Sequence, residues 1–427
     1  MNRILKFACV FAAILAAETL LFASFASASP AVTDPASTQT PTSTSFMLFK
    51  GNHAEGLNGV TYHTFRIPAV VRTNAGTLLA FAEGRAKSNK DYGNINVMYK
   101  RGKNDGKTAG DWSTLMQAAS IGDDTIGNPT PVVDRQTGTI WLFMSWNAAN
   151  TSQAGGANPE TGLPTTHITQ WGQRRVYVMR SDDDGVTFKG MDGSSTPTDM
   201  TATLTPKTRA SGSAWAWDSV GPGAGLYTSD GVIIIPAQFR NIYSKDHGKT
   251  WQVQKLPEAA GEATITELDD GSLYRNDRAN STNWSAAKRR WVSRGSIDGG
   301  FSAYKADDKL LDPNNQASVL FYNNAETDAP TRTIFLNSAS TETRTKMRFR
   351  ISYDNAKTWP MSRPLSDFTL PSGSGTEGGY SSMVKTADKN IGAMVETNLD
   401  VSNNAVSARG ILWHKLNLGW ILHGCAC

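Results

Sequence analysis

The pattern that decides the fold stands at residues 244–251, which read Ser244-Lys245-Asp246-His247-Gly248-Lys249-Thr250-Trp251. Ser and Asp side chains hydrogen-bond to nearby backbone groups, and Gly permits a tight turn. The aromatic residue that ends the pattern can then pack into the core beneath the turn. A Ser-x-Asp-x-Gly-x-Thr-aromatic stretch therefore indicates a self-closing β-turn between two strands.

This turn pattern occurs three more times along the chain. The copy that begins at Ser181 is complete, the copy at Ser296 degenerates after its Gly, and the copy at Ser352 has Ala in place of Gly. A unit that repeats along a long chain is typical of architectures that grow by adding one unit at a time.

Hairpin signals alternate with these turns. Six short turn sequences each precede a run of β-branched and aromatic residues that is too short for a helix. The six turns lie at residues 74–76, 136–138, 229–231, 269–271, 331–332 and 388–390. Six such units predict an all-β chain folded as a six-bladed β-propeller. A β-sandwich or a jelly roll would not give a regular repeat over this length.

The N-terminus is typical of a secretory signal. Two basic residues among the first six precede a mostly apolar run over residues 7–25, and residues 26–28 read Ala-Ser-Ala, a small-x-small cleavage site. We therefore predict a signal peptide over residues 1–28 and a secreted or periplasmic protein. The alternative is a transmembrane anchor, but Glu18 interrupts the apolar run.

Composition divides the rest of the chain into three parts. We expect a flexible Ser/Thr/Pro-rich leader over residues 29–45, the propeller over 46–420 and a C-terminal tail over 421–427. The tail contains Cys425 and Cys427, which are too close in sequence for an unstrained bridge to each other. The propeller therefore has no disulfide framework, and its stability must come from a packed core.

Charge and metal-ligand patterns exclude several classes of partner. The formal net charge is only +4 and the basic residues form no long run, so we expect no nucleic-acid partner. The six His residues are scattered without metal-ligand spacing, so we expect no metal and no other cofactor. No stretch after the signal is apolar enough for an integral membrane anchor. The protein is expected to act as a monomer.

Two further motifs carry a resemblance to a known family. Residues 65–68 read Phe-Arg-Ile-Pro, and residues 80–85 read Ala-Phe-Ala-Glu-Gly-Arg. Together with the four turn copies, which resemble Asp-boxes, these motifs make the chain similar to the exo-sialidases shared by bacteria and animals (glycoside hydrolase family 33). The resemblance covers about residues 46–416. It implies hydrolysis of terminal sialic acids from glycoproteins, glycolipids or oligosaccharides, with retention of configuration, and a structural role for the Asp-boxes.

The resemblance also implies a set of arginines that bind the substrate. Sialic acid carries a carboxylate on its anomeric carbon, and the planar guanidinium group binds such an anion through two hydrogen bonds. Arg66, Arg278 and Arg344 are implied to converge on this carboxylate. Nearby arginines stay open as alternatives to the last two: Arg275, Arg348 and Arg350.

The same substrate carboxylate makes an anionic nucleophile unattractive, since like charges repel during attack. A neutral phenol avoids this repulsion if a base takes its proton, and sialidases use a Tyr nucleophile. The resemblance implies Tyr380 as this nucleophile and Glu262 as its base, with Glu258 and Glu267 as rivals for the base. It implies Asp91, on a loop, as the acid that protonates the leaving oxygen and the base that later activates water.

Three more residues complete the implied site. Arg85 lines the pocket and touches the sugar, and Glu396 fixes the rotamer of Arg66. Asn128 stands before a Pro where the family often has Asp, so its contact with the N-acyl side chain of the substrate stays open. Two other functions also stay open: a sialic-acid-binding propeller without catalysis, and a trans-sialidase in which an acceptor sugar replaces water.

Overall fold

The computed structural model describes residues 32–423 apart from residues 259, 325, 327, 366–376 and 400–404. The predicted signal peptide and Cys425 and Cys427 lie outside the described residues. The chain divides into two units, Met1–Thr33 and Asp34–Cys427, and the sheets all belong to the second unit. Within the described part of the chain, no helix is long and apolar enough to cross a membrane.

Short strands account for most of the second unit. The first fifteen in chain order are β1 (Ser43–Lys50), β2 (His53–Ala54), β3 (Thr61–Tyr62), β4 (Thr64–Arg72), β5 (Leu78–Arg85), β6 (Ile95–Gly102), β7 (Met116–Ala119), β8 (Thr125–Val133), β9 (Ile140–Asn147), β10 (Thr151–Ser152), β11 (Thr166–His167), β12 (Arg175–Ser181), β13 (Thr198–Asp199), β14 (Leu226–Tyr227) and β15 (Ile233–Ala237). The remaining strands are β16 (Arg240–Ser244), β17 (Gln252–Lys255), β18 (Ala260–Glu267), β19 (Leu273–Ala279), β20 (Arg289–Ser296), β21 (Gly300–Phe301), β22 (Lys305–Leu311), β23 (Ser318–Asn323), β24 (Arg332–Ser338), β25 (Met347–Ser352), β26 (Met361–Pro364), β27 (Glu377–Lys385), β28 (Ile391–Leu399) and β29 (Ala405–Leu416).

Helices are short and lie between the strands or after the last one. The α-helices are α1 (Thr201–Leu204), α2 (Ser281–Ala287) and α3 (Leu418–His423). The 3-10 turns span Pro35–Thr38, Leu57–Gly59, Asn104–Gly106 and Ala109–Asp111.

Five large sheets contain most of the strands. Four are separate: β1-β29-β28-β27, β14-β15-β16-β17, β18-β19-β20 with β21 and β22 both on β20, and β23-β24-β25-β26. The fifth has eight strands, in which the antiparallel runs β4–β7 and β8-β9-β12-β13 are joined by one parallel pair, Ile95 with Thr125. The fold is an all-β propeller, as predicted. The number of six blades stays a prediction, because eight strands share one sheet.

A ring of six strands surrounds the centre of the propeller. In order, β4, β8, β14, β18, β23 and β27 each contact the next strand, and β27 contacts β4 again. We call this set the central ring. Outside it, β1 pairs with β29, so that Phe46 lies opposite Trp413, and residues 43–50 complete the sheet formed by residues 377–416.

The predicted limits of the propeller are wrong at both ends. The predicted leader is not separate from the core, because Asp34 is 4% exposed and accepts hydrogen bonds from the buried guanidinium group of Arg332, the nearer at 2.6 Å. The predicted tail begins inside α3, where Ile421 and Leu422 are buried in a hydrophobic cluster. Ser/Thr/Pro content was a poor guide, because such residues also form capped turns and edge strands.

Five of the six predicted hairpin turns lie between consecutive antiparallel strands, at residues 74–76, 136–138, 229–231, 269–271 and 388–390. The remaining turn, predicted at residues 331–332, was misplaced. Arg332 already belongs to β24, where its charge is buried against Asp34.

The Ser-x-Asp-x-Gly-x-Thr-aromatic turn closes on itself as the sequence predicted. Ser244 Oγ donates to Asp246 and accepts from the Gly248 backbone N–H at 2.8 Å, while Asp246 accepts from both the backbone N–H and the hydroxyl of Thr250. These bonds, that of the Thr250 hydroxyl above all, lower the pKa of Asp246 to about 2. Trp251 follows and is buried.

The other copies form the hydrogen bonds of the turn according to how much of the sequence pattern they keep. The copies at Ser181 and Ser352 make the same bonds. In the degenerate copy, the exposed Asp298 carboxylate instead pairs with Lys245 at 2.7 Å. The Ser, Asp and Thr of the pattern therefore hold the turn even where Ala replaces Gly, and the Asp alone is not enough.

The close packing of this turn gives a test of the fold. Gly248 has a φ of 79°, and a Cβ there would lie 2.2 Å from the Trp141 ring. We expect Gly248→Ala to lower the free energy of unfolding by about 2–4 kcal/mol, since it adds overpacking to an unfavourable backbone angle. Gly271→Ala is the matched control, because the φ of Gly271 is 74° but a Cβ there would have no atom within 4 Å. This substitution should lower the free energy of unfolding by only about 1 kcal/mol. Urea unfolding measures both, and equal losses would contradict the packing account.

Candidate active site

The implied site residues meet at one end of the central ring. Arg66 lies on β4, Asn128 on β8, Glu262 on β18 and Tyr380 on β27, each within the first four residues of its strand. The strands of the ring thus bring together side chains that are more than three hundred residues apart in sequence.

A β-bulge interrupts each of these four strands near its site residue. Register shifts lie between Arg66 and Ala69, Gly127 and Thr130, Ala260 and Ala263, and Glu377 and Ser381. Bulges re-aim side chains that a regular strand would point elsewhere. The backbone is accordingly unusual here, with a φ of 59° at Ile67 and 54° at Asn128.

The Tyr380 hydroxyl donates a hydrogen bond to Glu262 Oε1. Arg278 Nη1 donates to the Tyr380 hydroxyl at 3.0 Å and to Glu262 Oε2 at 2.9 Å. Burial and the Glu262 carboxylate raise the pKa of Tyr380, while Arg278 and the other nearby guanidinium groups oppose them. The phenol is therefore neutral at rest and already bonded to a base.

Two more guanidinium groups approach the Tyr380 ring. The Cζ atoms of Arg66 and Arg344 lie 5.2 and 5.4 Å from the ring centroid. The Arg344 guanidinium makes no hydrogen bond or ion pair with any described residue, so its donors can serve an anion. Three cationic groups thus surround one neutral phenol.

The alternative arginines lie elsewhere. Arg275 is fully buried and pairs with Asp277 at 2.7 Å. Arg348 donates to Ser362, and Arg350 donates to an asparagine in the neighbouring strand. None of these three contacts is with Tyr380 or Glu262.

The rival glutamates are also engaged away from Tyr380. Glu258 accepts from the backbone N–H of Ser211 at 3.0 Å. Glu267 binds the backbone N–H and the hydroxyl of Ser229, each at 2.7 Å. Among the three candidate bases, Glu262 alone bonds to the Tyr380 hydroxyl.

Glu396 holds the arginine and the tyrosine together. Its carboxylate accepts from Arg66 Nε at 3.1 Å and Nη2 at 3.3 Å, from the Ile67 N–H at 2.9 Å and from the Tyr380 N–H at 3.2 Å. Burial alone would raise the pKa of Glu396, but Arg66 and these backbone donors outweigh it and lower the pKa. A side chain at Gly379 would strike this carboxylate at 2.3 Å, so only glycine fits there.

Asp91 lies on the loop between β5 and β6 with its side chain largely exposed. Its Oδ1 atom accepts from Arg85 Nη1 at 2.8 Å and from Arg66 Nη1 at 3.1 Å. Desolvation would raise the pKa of Asp91, but Arg85 and Arg66 outweigh it and lower the pKa. Arg85 also donates to the backbone carbonyls of Asn89 and Lys90, so it fixes the loop that carries Asp91.

Comparison with known proteins places this site in a family. Residues 76–395 match the BNR repeat-like domain family. The chain is 46% identical over 409 residues to an exo-alpha-sialidase of Aspergillus fumigatus, which covers 92% of this chain and 95% of the relative. It is likewise 46% identical over 376 residues to an exo-alpha-sialidase of Arthroderma benhamiae, with 86% of each chain covered. The chain belongs to the exo-alpha-sialidase family. It is a glycoside hydrolase.

A solved structure supports the fold of this family member. The Hadza microbial sialidase Hz136 matches with a TM-score of 0.68 at 23% identity, over 86% of this chain and 68% of that chain. At this identity the match concerns the fold alone.

Glu83 is a residue of this sialidase site to which the sequence analysis gave no role. Its Oε2 atom accepts from Arg85 Nη2 at 2.6 Å, and its Oε1 atom accepts from the Asn128 backbone N–H at 2.8 Å. Glu83 and Arg85 are both buried in β5. The spacing of two between Glu83 and Arg85 places them on one face of a strand, and that signal was readable in the sequence.

Arg174 is a second residue without an assigned role. It is 4% exposed, its Nη2 atom donates to the Asn128 side-chain oxygen at 3.0 Å, and its Cζ atom lies 4.6 Å from the Trp217 ring centroid. Burial lowers the pKa of Arg174 to about 10. Arg174 stands in no motif, so no pattern in the sequence pointed to it. Its contact means that the Asn128 amide oxygen is already engaged.

Within the described ranges, no group of three or more His, Cys, Asp or Glu residues could hold a metal ion. The positive charge of the site comes from its guanidinium groups.

Glu396 gives the site a stability that depends on pH. Because the pKa of Glu396 is lower in the folded protein than the value of about 4.3 for an unperturbed glutamate, its ionised form stabilises the fold above that value, and this contribution is lost as the pH falls toward the folded pKa. We expect Glu396→Gln to lower the free energy of unfolding by about 3 kcal/mol at pH 7, the typical cost of breaking a buried ion pair, and by less at about pH 4.

Urea unfolding of wild type and variant at both pH values checks this expectation. Gly271→Ala removes no ionisable group and is the control, which should lose equal stability at both. A Glu396→Gln loss that is unchanged or larger in acid would contradict the account.

Proposed function

We propose that this chain is a secreted or periplasmic exo-α-sialidase, which hydrolyses terminal sialic acids from glycoproteins, glycolipids or oligosaccharides with retention of configuration. The observation that carries the proposal is the hydrogen bond from the Tyr380 hydroxyl to Glu262, with Arg66, Arg278 and Arg344 around the phenol. The name exo-alpha-sialidase of the two relatives at 46% identity agrees with it.

The three arginines have the role of binding the substrate carboxylate. A guanidinium group is planar, always charged and able to donate two parallel hydrogen bonds to a carboxylate. Arg344 has its donors unused, Arg278 has Nε and Nη1 engaged, and Arg66 is fixed by Glu396. Together they bring the anomeric carbon of a sialoside toward the Tyr380 hydroxyl, and the carboxylate that they bind disfavours an anionic nucleophile at that position.

Tyr380 has the role of the nucleophile. Its oxygen forms a bond to the anomeric carbon while the bond to the leaving glycosidic oxygen breaks, and Glu262 takes the phenolic proton. Water then attacks the same carbon, the bond to the tyrosine oxygen breaks, and Glu262 returns the proton to it. Two displacements on one carbon give net retention.

Asp91 has the role of the acid and then the base, and the substrate itself prepares it. The first step needs Asp91 protonated, whereas Arg85 and Arg66 lower its pKa. A substrate carboxylate that takes over Arg66 would remove one of these two cations from Asp91 and add a negative charge nearby. Both changes raise the pKa of Asp91. The protonated carboxyl then protonates the leaving oxygen, and its carboxylate later accepts a proton from water.

Arg85, Asn128 and Glu396 have supporting roles. Arg85 lines the pocket and sets the position of the Asp91 loop. Asn128 lies beside Arg174 and accepts its hydrogen bond, and Glu396 positions Arg66 by two hydrogen bonds. No cofactor takes part in the proposed reaction.

The architecture belongs to the same proposal. We count the eight-stranded sheet as two blades, since one parallel pair alone joins its two antiparallel halves, and the central ring has one strand from each of six units. The signal peptide predicted over residues 1–28 supports export, and we propose that the enzyme acts as a monomer.

Release of sugar from a fluorogenic sialoside tests the proposal. We expect Tyr380→Phe to lower kcat/KM by about 10³-fold, since it removes the nucleophilic oxygen, and Asp91→Ala to lower it as well. Tyr243→Phe is the matched control, because its hydroxyl bonds only to the Gln252 side chain on an outer strand. It should keep wild-type activity.

Three other results of this assay would lead to different conclusions. Full activity in Tyr380→Phe would overturn the nucleophile assignment. No release by the wild type, together with binding of the sialoside, would favour a binding propeller without catalysis. Sialyl transfer to lactose in preference to water would identify a trans-sialidase.

A further inference from the structure

A cavity of about 330 Å³ lies at the end of the central ring away from Tyr380. Its walls come from all six strands of the central ring and from residues 223–225 and 316. Arg72, Glu267 and Lys385 follow Arg66, Glu262 and Tyr380 by five or six residues, which is about 17–20 Å along a strand. Arg72 and Lys385 therefore lie far from Tyr380, while Thr264 and Ser382 line the cavity two residues beyond Glu262 and Tyr380.

The charge at this cavity is positive. Three of its lining residues are basic, namely Arg72, Arg135 and Lys385, and one is acidic. The acid is Glu267, and both of its carboxylate oxygens are engaged by Ser229. These neutral donors leave Glu267 charged, so three cations and one carboxylate give the lining a formal charge of +2.

The donors of these three cations are used unequally. Arg135 Nη1 donates to the Arg72 backbone oxygen at 2.8 Å and to Asn74, and Lys385 Nζ donates to the Tyr322 backbone oxygen at 2.8 Å. The guanidinium group of Arg72 makes no hydrogen bond or ion pair with any described residue. It is the one lining cation in the described chain whose donors are all available.

The cations also repel one another. Burial and then the nearby Arg72 lower the pKa of Arg135. Burial lowers the pKa of Lys385 as well, and Lys389 and Arg72 add to the effect. An anion bound among these groups would relieve this repulsion.

The size and the walls limit what the anion can be. Cavities that bind small molecules begin at about 300 Å³, so this cavity is at the lower end of the range. Apolar groups of Val71, Leu226 and Phe321 form part of the wall. A bare inorganic ion would leave most of this space unused.

We propose that this cavity is a binding site for a sugar-sized molecule with one carboxylate or phosphate group, which Arg72 binds with support from Arg135 and Lys385. The apolar and hydroxyl-bearing walls contact the body of the molecule. A sugar acid and a sugar phosphate offer the same recognition chemistry, and the test separates them.

Isothermal titration calorimetry of the full chain at low ionic strength tests the proposal. The probes are glucuronate, glucose 6-phosphate and, as the neutral control, glucose. We expect binding of at least one acid, no binding of glucose, and weaker binding as NaCl is added. Tighter binding of glucuronate or of glucose 6-phosphate shows whether the site prefers a sugar acid or a sugar phosphate.

Three variants separate this site from the arginines around Tyr380. Arg72→Gln should weaken binding about tenfold or more, the worth of a charge-assisted hydrogen bond, and Lys385→Gln, on a different strand, should weaken it too. Arg344→Gln is the matched control and should bind as the wild type does. Urea unfolding shows that each variant is folded.

Three results would overturn the proposal. One is no binding of either acid up to about 10 mM. Another is equal binding of glucose. The third is loss of binding in Arg344→Gln but not in Arg72→Gln, which would place the anion in the active site.

Discussion

The buried carboxylate of Glu396 is the group on which the rest of the site depends. It bonds to the Arg66 guanidinium, to the backbone of Ile67 and to the backbone of Tyr380, so it joins the first and the last strand of the central ring. The same hydrogen bonds thus join the ends of the ring and set the positions of Arg66 and Tyr380. Gly379 has no side chain because this carboxylate occupies the space. A change in how the ring closes would move the arginine and the tyrosine together.

The charges of the site are arranged to keep the phenol neutral until a substrate arrives. Burial holds the proton on Tyr380, and Glu262 is already in contact to receive it. In the proposed reaction, Asp91 and the substrate carboxylate compete for Arg66, so binding of the substrate would change the protonation of the proposed acid catalyst. This competition explains how one loop carboxylate can be ionised in the resting enzyme and yet donate a proton in the proposed reaction.

Much of this could be predicted from the sequence, because repeated turns and short apolar runs are local signals. The turn at Ser244 and the motif around Arg66 identified the all-β fold and the family. What a sequence does not show is which side chains meet after a bulge re-aims them. The contact of Glu83 with Asn128 depends on the bulged strand β8, and the burial of Asp34 depends on a partner almost three hundred residues away. Those features needed the structure.

The proposed reaction requires a covalent bond between the substrate and Tyr380. Mass spectrometry of a trapped enzyme tests for this bond most directly. A 2,3-difluorosialic acid carries a leaving group at its anomeric carbon, and its second fluorine slows hydrolysis of the intermediate. After inactivation and proteolysis, we predict that the sugar is found on the peptide that contains Tyr380 and is attached to the phenolic oxygen. A sugar attached to Glu262 or Asp91, or complete inactivation without any adduct, would contradict the account.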